Sequence, residues 1–120
     1  KELIEHVVRR GFVFARRNHA AIRLVMREVV DHGEVSKERR ARFVDPFFGR
    51  ITVAVGELLG RGSVETRLLC QSAVNLVVRY ALSSQNELEI VTGLSGEQAL
   101  QAVESHLVDV AHNLFEIKMN

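Results

Sequence analysis

The sequence predicts an all-α protein, an antiparallel bundle of about five to six helices. Apolar residues recur at three- and four-residue intervals along most of the chain, which is the period of a helix. Glycines and N-capping residues interrupt this pattern where helices end and begin, and no stretch predicts a strand convincingly. The 120 residues, 47% hydrophobic and 26% charged, fit a single domain over residues 1–120.

Two helices are predicted at the N-terminus. Residues 2–17 carry apolar side chains at helical spacing, with charged residues on the opposite side. Asn18 is the expected N-cap of a second helix over residues 19–32, and Gly33 stands where that helix should stop.

A long third segment begins after Ser36, its expected N-cap, and ends at Gly60 and Gly62. Pro46 interrupts it, because proline lacks the N–H that a helix interior needs. Either the helix kinks there, which we favour, or it breaks and restarts with Asp45 as N-cap and Pro46 at N1.

The C-terminal half contains two more helices joined by a loop. The first spans residues 64–83, and the loop over 83–96 holds a short turn around 87–91. The sequence SGEQ at 95–98 is a capping box, in which Ser and Gln side chains pair with each other's backbone amides. It starts a last helix that runs to about residue 117.

These last two helices are apolar over more than one face, which is wider than a surface helix needs. We therefore predict that they pair with the same helices of a second copy, forming a four-helix bundle between subunits of a homodimer. The alternative is a monomer whose other helices cover the pair. The expected dimer interface comprises Ala73, Val77, Ala81, Val103, Leu107, Val110, Ala111 and Leu114.

Charge and cysteine content narrow the functional classes. Residues 1–60 hold 12 basic against 8 acidic residues, but the arginines stand at helical spacing among apolar positions, which favours a solvated face over a nucleic-acid surface. The lone Cys70 indicates a buried thiol in a reducing compartment. With no signal peptide and no long apolar run, we expect a cytoplasmic protein without a membrane partner. Because the first residue is Lys, we expect a processed chain or a fragment.

Three passages resemble the regulatory half of TetR-family transcriptional regulators. FVFARRNHAAIRLVMREV (12–29) is similar to the segment that opens that half, with a phenylalanine-rich helix end, a short Asn/His turn and an Arg-Glu pair. ELLGRGSVETRLLCQSAVNLVVRYAL (57–82) resembles the family's long helix, Gly-rich turn and apolar helix. SGEQALQAVESHLVDVAHNLF (95–115) resembles its final dimerisation helix.

The resemblance implies two tasks for this chain. Helices 64–83 and 96–117 would form the homodimer, and a small-molecule effector would bind among the other helices. Effector binding would act on DNA affinity through the helix at 2–17. The family's N-terminal helix-turn-helix module has no counterpart here, since no segment carries a basic recognition helix after a Gly turn. We therefore expect DNA binding to belong to a part of the protein outside this chain.

Candidate effector-binding residues come from two places. An apolar cluster surrounds the Pro46 irregularity, and three polar or aromatic residues lie on the helix at 64–83. Plain core and plain solvent exposure are the alternatives for each. The phenylalanine content favours an apolar or aromatic effector. The candidates are Met26, Phe43, Phe47, Phe48, Ile51, Asn75, Arg79 and Tyr80.

No enzyme activity, catalytic residue, metal site or cofactor is predicted. Glu28 with His32, and Asp109 with His112, are each one turn apart, but the carboxylates that a two-metal bundle site needs cannot be assembled around them. Cys70 has no nearby histidine to activate it. The alternative to the regulatory domain is a stand-alone helical scaffold that binds a different protein through its apolar C-terminal helices.

Overall fold

The chain is almost entirely helical. A computed structural model describes residues 2–60 and 63–119, apart from the side chains of residues 47, 58, 59, 63 and 116–119. Within these ranges it holds seven α-helices, one π-helical turn and no β-strand, which confirms the all-α prediction. The antiparallel order and the bundle between subunits stay predictions. The elements are α1 Glu2–Arg17, α2 His19–His32, α3 Lys37–Arg39, the π turn Arg40–Val44, α4 Asp45–Leu59, α5 Ser63–Ala81, α6 Gln85–Thr92 and α7 Gly96–Met119.

Two helices end at glycine where the sequence predicts it. Gly33 and Gly60 have φ of +76° and +61°, a backbone conformation that residues with a Cβ atom rarely adopt. Each amide donates to the carbonyl four residues earlier, at 2.8 and 2.9 Å. The Ser36 cap is also confirmed, since its hydroxyl accepts from the Arg39 amide at 3.4 Å. Gly62 lies outside the described residues.

The chain accommodates Pro46 by widening the turn before it. In the π turn the Asp45 amide donates to the Arg40 carbonyl, five residues earlier. Pro46 therefore falls in the first turn of α4, where a missing N–H is tolerated. Asp45 has helical φ and ψ of −61° and −42°, so the predicted restart with Asp45 as N-cap is wrong. The helical path continues through the proline, with its irregularity on the N-terminal side.

Asn18 closes α1 instead of capping α2, which corrects the prediction. Its backbone amide and its side-chain Nδ2 both donate to the Phe14 carbonyl, each at 2.9 Å. That carbonyl is one of the acceptors that a helix leaves unpaired at its C-terminus.

Residues 85–92 form the helix α6, where the sequence predicts a loop with only a short turn. Ser84 caps it, because the hydroxyl accepts from the Glu87 amide at 3.1 Å. Gly93, with φ of +73°, ends it. Leu88 is fully buried and fixes this short helix to its surroundings.

A side chain from α6, rather than Ser95, serves the start of α7. The Gly96 amide donates to Oε2 of Glu89 at 2.8 Å, and Nε2 of Gln85 donates to the Gly96 carbonyl at 3.0 Å. The predicted capping box between Ser95 and Gln98 is replaced by these bonds. Helix α7 thus begins on a hydrogen-bonded contact with α6.

The described chain divides into two compact units, and the first consists of residues 1–19 and 73–120. In this unit α7 packs against α1 and α6. Arg9 joins α1 to α7, since its guanidinium contacts Glu104 and Glu5, each at 3.0 Å. The buried apolar residues are Ile4, Val8, Phe12, Ala15, Ala81, Leu88, Ala99, Val103, Leu107, Val108, Ala111 and Phe115.

The second unit consists of residues 20–72. Its described buried residues lie on α4 and on the N-terminal half of α5, and they are Val55, Thr66, Leu69 and Cys70. Helix α2 buries none of its residues, and its apolar Val29 is exposed. The single domain that the chain length indicates stays a prediction.

Candidate functional site

The predicted effector-binding residues fall into both units. The second unit holds Met26, Phe43, Phe47, Phe48 and Ile51. Phe43 is exposed, whereas Met26, Phe48 and Ile51 are half-buried. The Phe47 side chain lies outside the described residues. The first unit holds Asn75, Arg79 and Tyr80.

In the second unit, one face of α4 meets the N-terminal half of α5. We call the covered residues of these two segments the α4–α5 seam. A methyl carbon built on Gly56 would lie 3.6 Å from Cγ2 of Thr66, which places the two helices in direct contact. Two of the predicted pocket residues belong to this face. The seam comprises Phe48, Ile51, Thr52, Val55, Gly56, Thr66, Leu69 and Cys70.

Two polar groups of the seam have partners. The Thr52 hydroxyl donates to the Phe48 carbonyl at 2.6 Å, one turn back along α4. Burial raises the pKa of the Cys70 thiol, and a hydrogen bond with Thr52 offsets part of that rise. The thiol therefore stays protonated near neutral pH and is a poor nucleophile.

The third polar group of the seam, the Thr66 hydroxyl, has no hydrogen-bond partner. Thr66 is 1% exposed, and its hydroxyl oxygen is buried without a hydrogen-bond partner. Leaving a buried hydroxyl unpaired costs about 1–3 kcal/mol. An apolar isostere would fill the same space without that cost. The hydroxyl thus needs an explanation beyond packing.

None of the covered side chains that the structure describes in α4 and in residues 63–72 carries a charge. A charged ligand buried there would lose its hydration without gaining a counter-ion. The chemistry on offer is apolar contact plus the hydrogen-bonding capacity of a hydroxyl.

The three candidates in the first unit have different surroundings. The Tyr80 ring meets His106 of α7 edge-on, with ring centroids 6.3 Å apart and an angle of 82°. Nη1 of the exposed Arg79 donates to the Ser83 hydroxyl at 3.0 Å, beside the end of α5. Asn75 is exposed on the same helix. Tyr80 thus joins α5 to α7, and Arg79 is engaged at the helix end.

The predicted dimer residues divide by burial. Ala81, Val103, Leu107 and Ala111 are buried within the chain, at 4% exposure or less, so their side chains leave almost no area for a second copy. Half-buried side chains, which retain some exposed area, are those of Ala73, Val77, Val110 and Leu114. Up to residue 115, the exposed side chains of α7 are polar, as Ser105 and Asp109 illustrate. The chain itself therefore covers most of the apolar surface of α7 over residues 96–115.

Helix α5, by contrast, keeps apolar side chains in solvent. Val64, Leu68 and Leu76 are 71%, 63% and 37% exposed. With Ser72 they follow one another at four-residue spacing, which places them in one row along the helix; we call these four residues the α5 outer row. Our sequence prediction did not include them in the interface. The four-residue spacing of these residues in the sequence could have identified the row.

No family model, curated protein or solved structure matches the chain. Among the described residues there is no group of three or more histidine, cysteine or carboxylate side chains placed to hold a metal ion. No helix in the described ranges has the length and apolar content needed to cross a membrane.

Proposed function

We propose that the chain is the effector-sensing and dimerisation domain of a TetR-like transcriptional regulator. It binds a small, uncharged, largely apolar molecule and thereby modulates DNA binding by an N-terminal helix-turn-helix module outside this chain. The all-helical fold is consistent with this proposal. The observation that carries it is the α5 outer row, which a single copy of the chain leaves in solvent.

Self-association is the simplest way to cover that row. Full burial of a valine or leucine side chain contributes about 1.5–3 kcal/mol, and a two-fold interface uses the same row from both copies. The half-buried Ala73 and Val77 lie on the same helix and extend the contact area. The interface thus draws on α5 more than the sequence alone predicts, and less on α7.

The sensing task rests on the α4–α5 seam. A ligand changes DNA affinity only if it binds the two conformations of the dimer with different affinity. The seam involves α5, which also carries the outer row, so a ligand that shifts α5 alters the surface by which two copies meet. Sensing and dimerisation are thereby linked through one helix.

Replacing Leu68 with Glu tests the dimer. Leu68 is already 63% exposed, so the fold tolerates the charge in a single copy. In the dimer the same carboxylate is buried without a partner, at a cost of several kcal/mol. We expect Leu68→Glu to raise the dimer dissociation constant at least about a hundredfold, measured by light scattering after size exclusion.

Ile90→Glu is the matched control, because Ile90 is 67% exposed and lies on α6. It should leave both the dimer and the helical circular dichroism unchanged. A wild-type chain that is monomeric, or a Leu68→Glu variant that dimerises as the wild type does, would refute the proposal. A monomer that captures a different protein through α5 would instead favour the helical scaffold.

A further inference from the structure

The first unit carries two exposed surfaces that combine apolar and charged side chains. One lies on α1 at the i, i+3, i+4, i+7 spacing of a single helix face. We call it the α1 outer face, and it comprises Arg10, Val13, Phe14 and Arg17. The other runs from α6 into the first turn of α7. We call it the α6 patch, and it comprises Glu87, Ile90, Val91, Leu94 and Glu97.

Both surfaces leave large apolar side chains in solvent. On α1, Val13 and Phe14 are 41% and 42% exposed. In the α6 patch, Ile90, Val91 and Leu94 are 67%, 58% and 40% exposed, all within five consecutive residues. A contiguous apolar patch with a polar rim commonly marks a site where another molecule binds.

The charges at the ends of the two surfaces are opposite. Arg10 and Arg17, both exposed, flank the apolar pair of α1, and the C-terminal half of α1 contains no acidic residue. Glu87 and Glu97, both exposed, flank the apolar residues of the α6 patch, and residues 80–117 contain no lysine or arginine. Each surface is therefore an apolar centre between two like charges, and the two surfaces are complementary.

The α1 outer face and the α6 patch cannot cover each other within one copy. Helices α1 and α6 both pack against α7. On its other side α1 buries Phe12 and Ala15, and α6 buries Leu88. Since these buried residues hold each helix to the core of the unit, the two exposed surfaces point away from it. A second molecule is needed to cover either one.

We propose that the α1 outer face of one copy docks on the α6 patch of a second copy. The arginines then face the carboxylates, and the apolar centres cover each other. Pairing two α6 patches, or two α1 outer faces, would bring like charges together, which disfavours both alternatives. Because each copy keeps one uncovered surface of each kind, the contact runs head to tail and can continue from copy to copy. It uses neither the α5 outer row nor the α4–α5 seam, so it does not rest on the proposed function.

The contact is weak and depends on salt. The two surfaces hold four and five residues, against about 20–30 on each side of a stable interface. We expect a dissociation constant of about 0.1–1 mM at about 0.05 M salt, and several-fold weaker binding at about 0.5 M salt. At micromolar concentrations the contact is therefore not populated.

The test mixes two full-length variants, each of which has lost one surface. Ile90→Glu gives the α1-intact chain, and Val13→Glu gives the α6-intact chain. Both also carry Leu68→Glu, so that the α5 outer row does not contribute to association. In sedimentation velocity at about 0.5 mM of each, either variant alone should stay at 13.5 kDa. The weight-average mass of the mixture should rise to about 1.3–1.6 times that value, because the intact surfaces of the two variants meet.

Exchanging the charges tests how the surfaces pair. Arg10→Glu with Arg17→Glu in the α1-intact chain should abolish the rise in mass. Adding Glu87→Lys with Glu97→Lys to the α6-intact chain should restore it, because opposite charges again face each other. Circular dichroism checks that each variant keeps its helices. The loss of mass in about 0.5 M salt tests the same charges without these four substitutions.

Matched controls place the same charge changes outside both surfaces. Arg50→Glu goes into the α1-intact chain and Asp109→Lys into the α6-intact chain, each at an exposed position. Neither should change the mass of the mixture. The chain that carries only Leu68→Glu has both surfaces and should exceed 13.5 kDa at about 0.5 mM.

Several results would overturn the proposal. The mixture stays at the mass of one chain, or the controls abolish the complex as fully as the charge reversals do, or the exchanged charges fail to restore it. Association of the α6-intact chain with itself would also overturn it, because the α6 patch would then pair with its own kind. The dimer is scored separately, from the wild-type chain at micromolar concentration, so either contact can fail while the other holds.

Discussion

At the residue scale, Glu89 is the acceptor that joins α6 to the start of α7. Its carboxylate accepts from the Gly96 amide at 2.8 Å and from the Gln85 side chain at 3.2 Å. These two bonds, the first more than the second, hold the pKa of Glu89 below its ordinary value of 4.5. The charged carboxylate is thus favoured in the folded chain over the unfolded one.

This preference makes stability depend on pH. Between the unfolded value near 4.5 and the lower folded value, the unfolded chain binds more protons, so the free energy of unfolding rises with pH. The contribution is fully present above that window and is lost as the pH falls through the folded pKa. We expect Glu89→Gln to flatten the decline of melting temperature in acid, followed by circular dichroism. Glu97→Gln, at an exposed carboxylate in α7, should retain the decline, and an unchanged slope in Glu89→Gln would contradict the assignment.

Thr66 and Gly56 show where sequence reasoning stops at this scale. Both are unremarkable in the sequence, because their meaning comes from a contact between two helices. Apolar residues at helical spacing do indicate which face of a helix is covered, as the half-buried Phe48 and Ile51 illustrate, but their role in binding an effector stays a prediction. The residues of α5 that meet that face depend on the rotation of one helix against the other, which no local pattern encodes.

At the element scale, Glu28 holds the connection from α2 to α3. Its side chain is 17% exposed; it forms an ion pair with Arg39 and accepts the Ser36 amide at 2.6 Å. The first contact fixes α3, and the second fixes the residue that caps it. Since α2 buries none of its residues, these two contacts of the Glu28 carboxylate hold the C-terminal end of α2 to α3.

Replacing Glu28 with Gln removes the ion pair but keeps an oxygen that can accept the Ser36 amide. We expect the free energy of unfolding in urea to fall by about 1 kcal/mol, because the pair is partly shielded from solvent. Asp31→Asn is the control, since the Arg27–Asp31 pair is exposed at 3.9 Å and should contribute less than about 0.5 kcal/mol. Equal losses in the two variants would show that Glu28 is an ordinary surface residue.

Helix ends were predictable where the signal is local. Gly33, Gly60 and Ser36 act through their own backbone or through an amide three or four residues away. The hydrogen bond at the start of α7 was not predictable in this way. The Gly96 amide donates to Glu89, which lies seven residues earlier and on another helix. The full length of α6 was also missed, since its segment is rich in the turn-forming residues Ser83, Ser84 and Asn86 and buries only Leu88.

At the scale of the whole molecule, the two C-terminal helices differ. Helix α7 was predicted to keep surplus apolar surface for a partner, but α1 and α6 pack against it and cover most of that surface. Helix α5 retains its outer row in solvent. A helical wheel identifies surplus apolar surface without telling which part the chain covers itself.

The mass of the chain in solution tests the central claim most directly. Sedimentation equilibrium over a range of micromolar concentrations should give a species of about twice 13.5 kDa that dissociates on dilution, because the proposed dimer covers the α5 outer row of both copies. A single species of 13.5 kDa at every concentration would contradict the account.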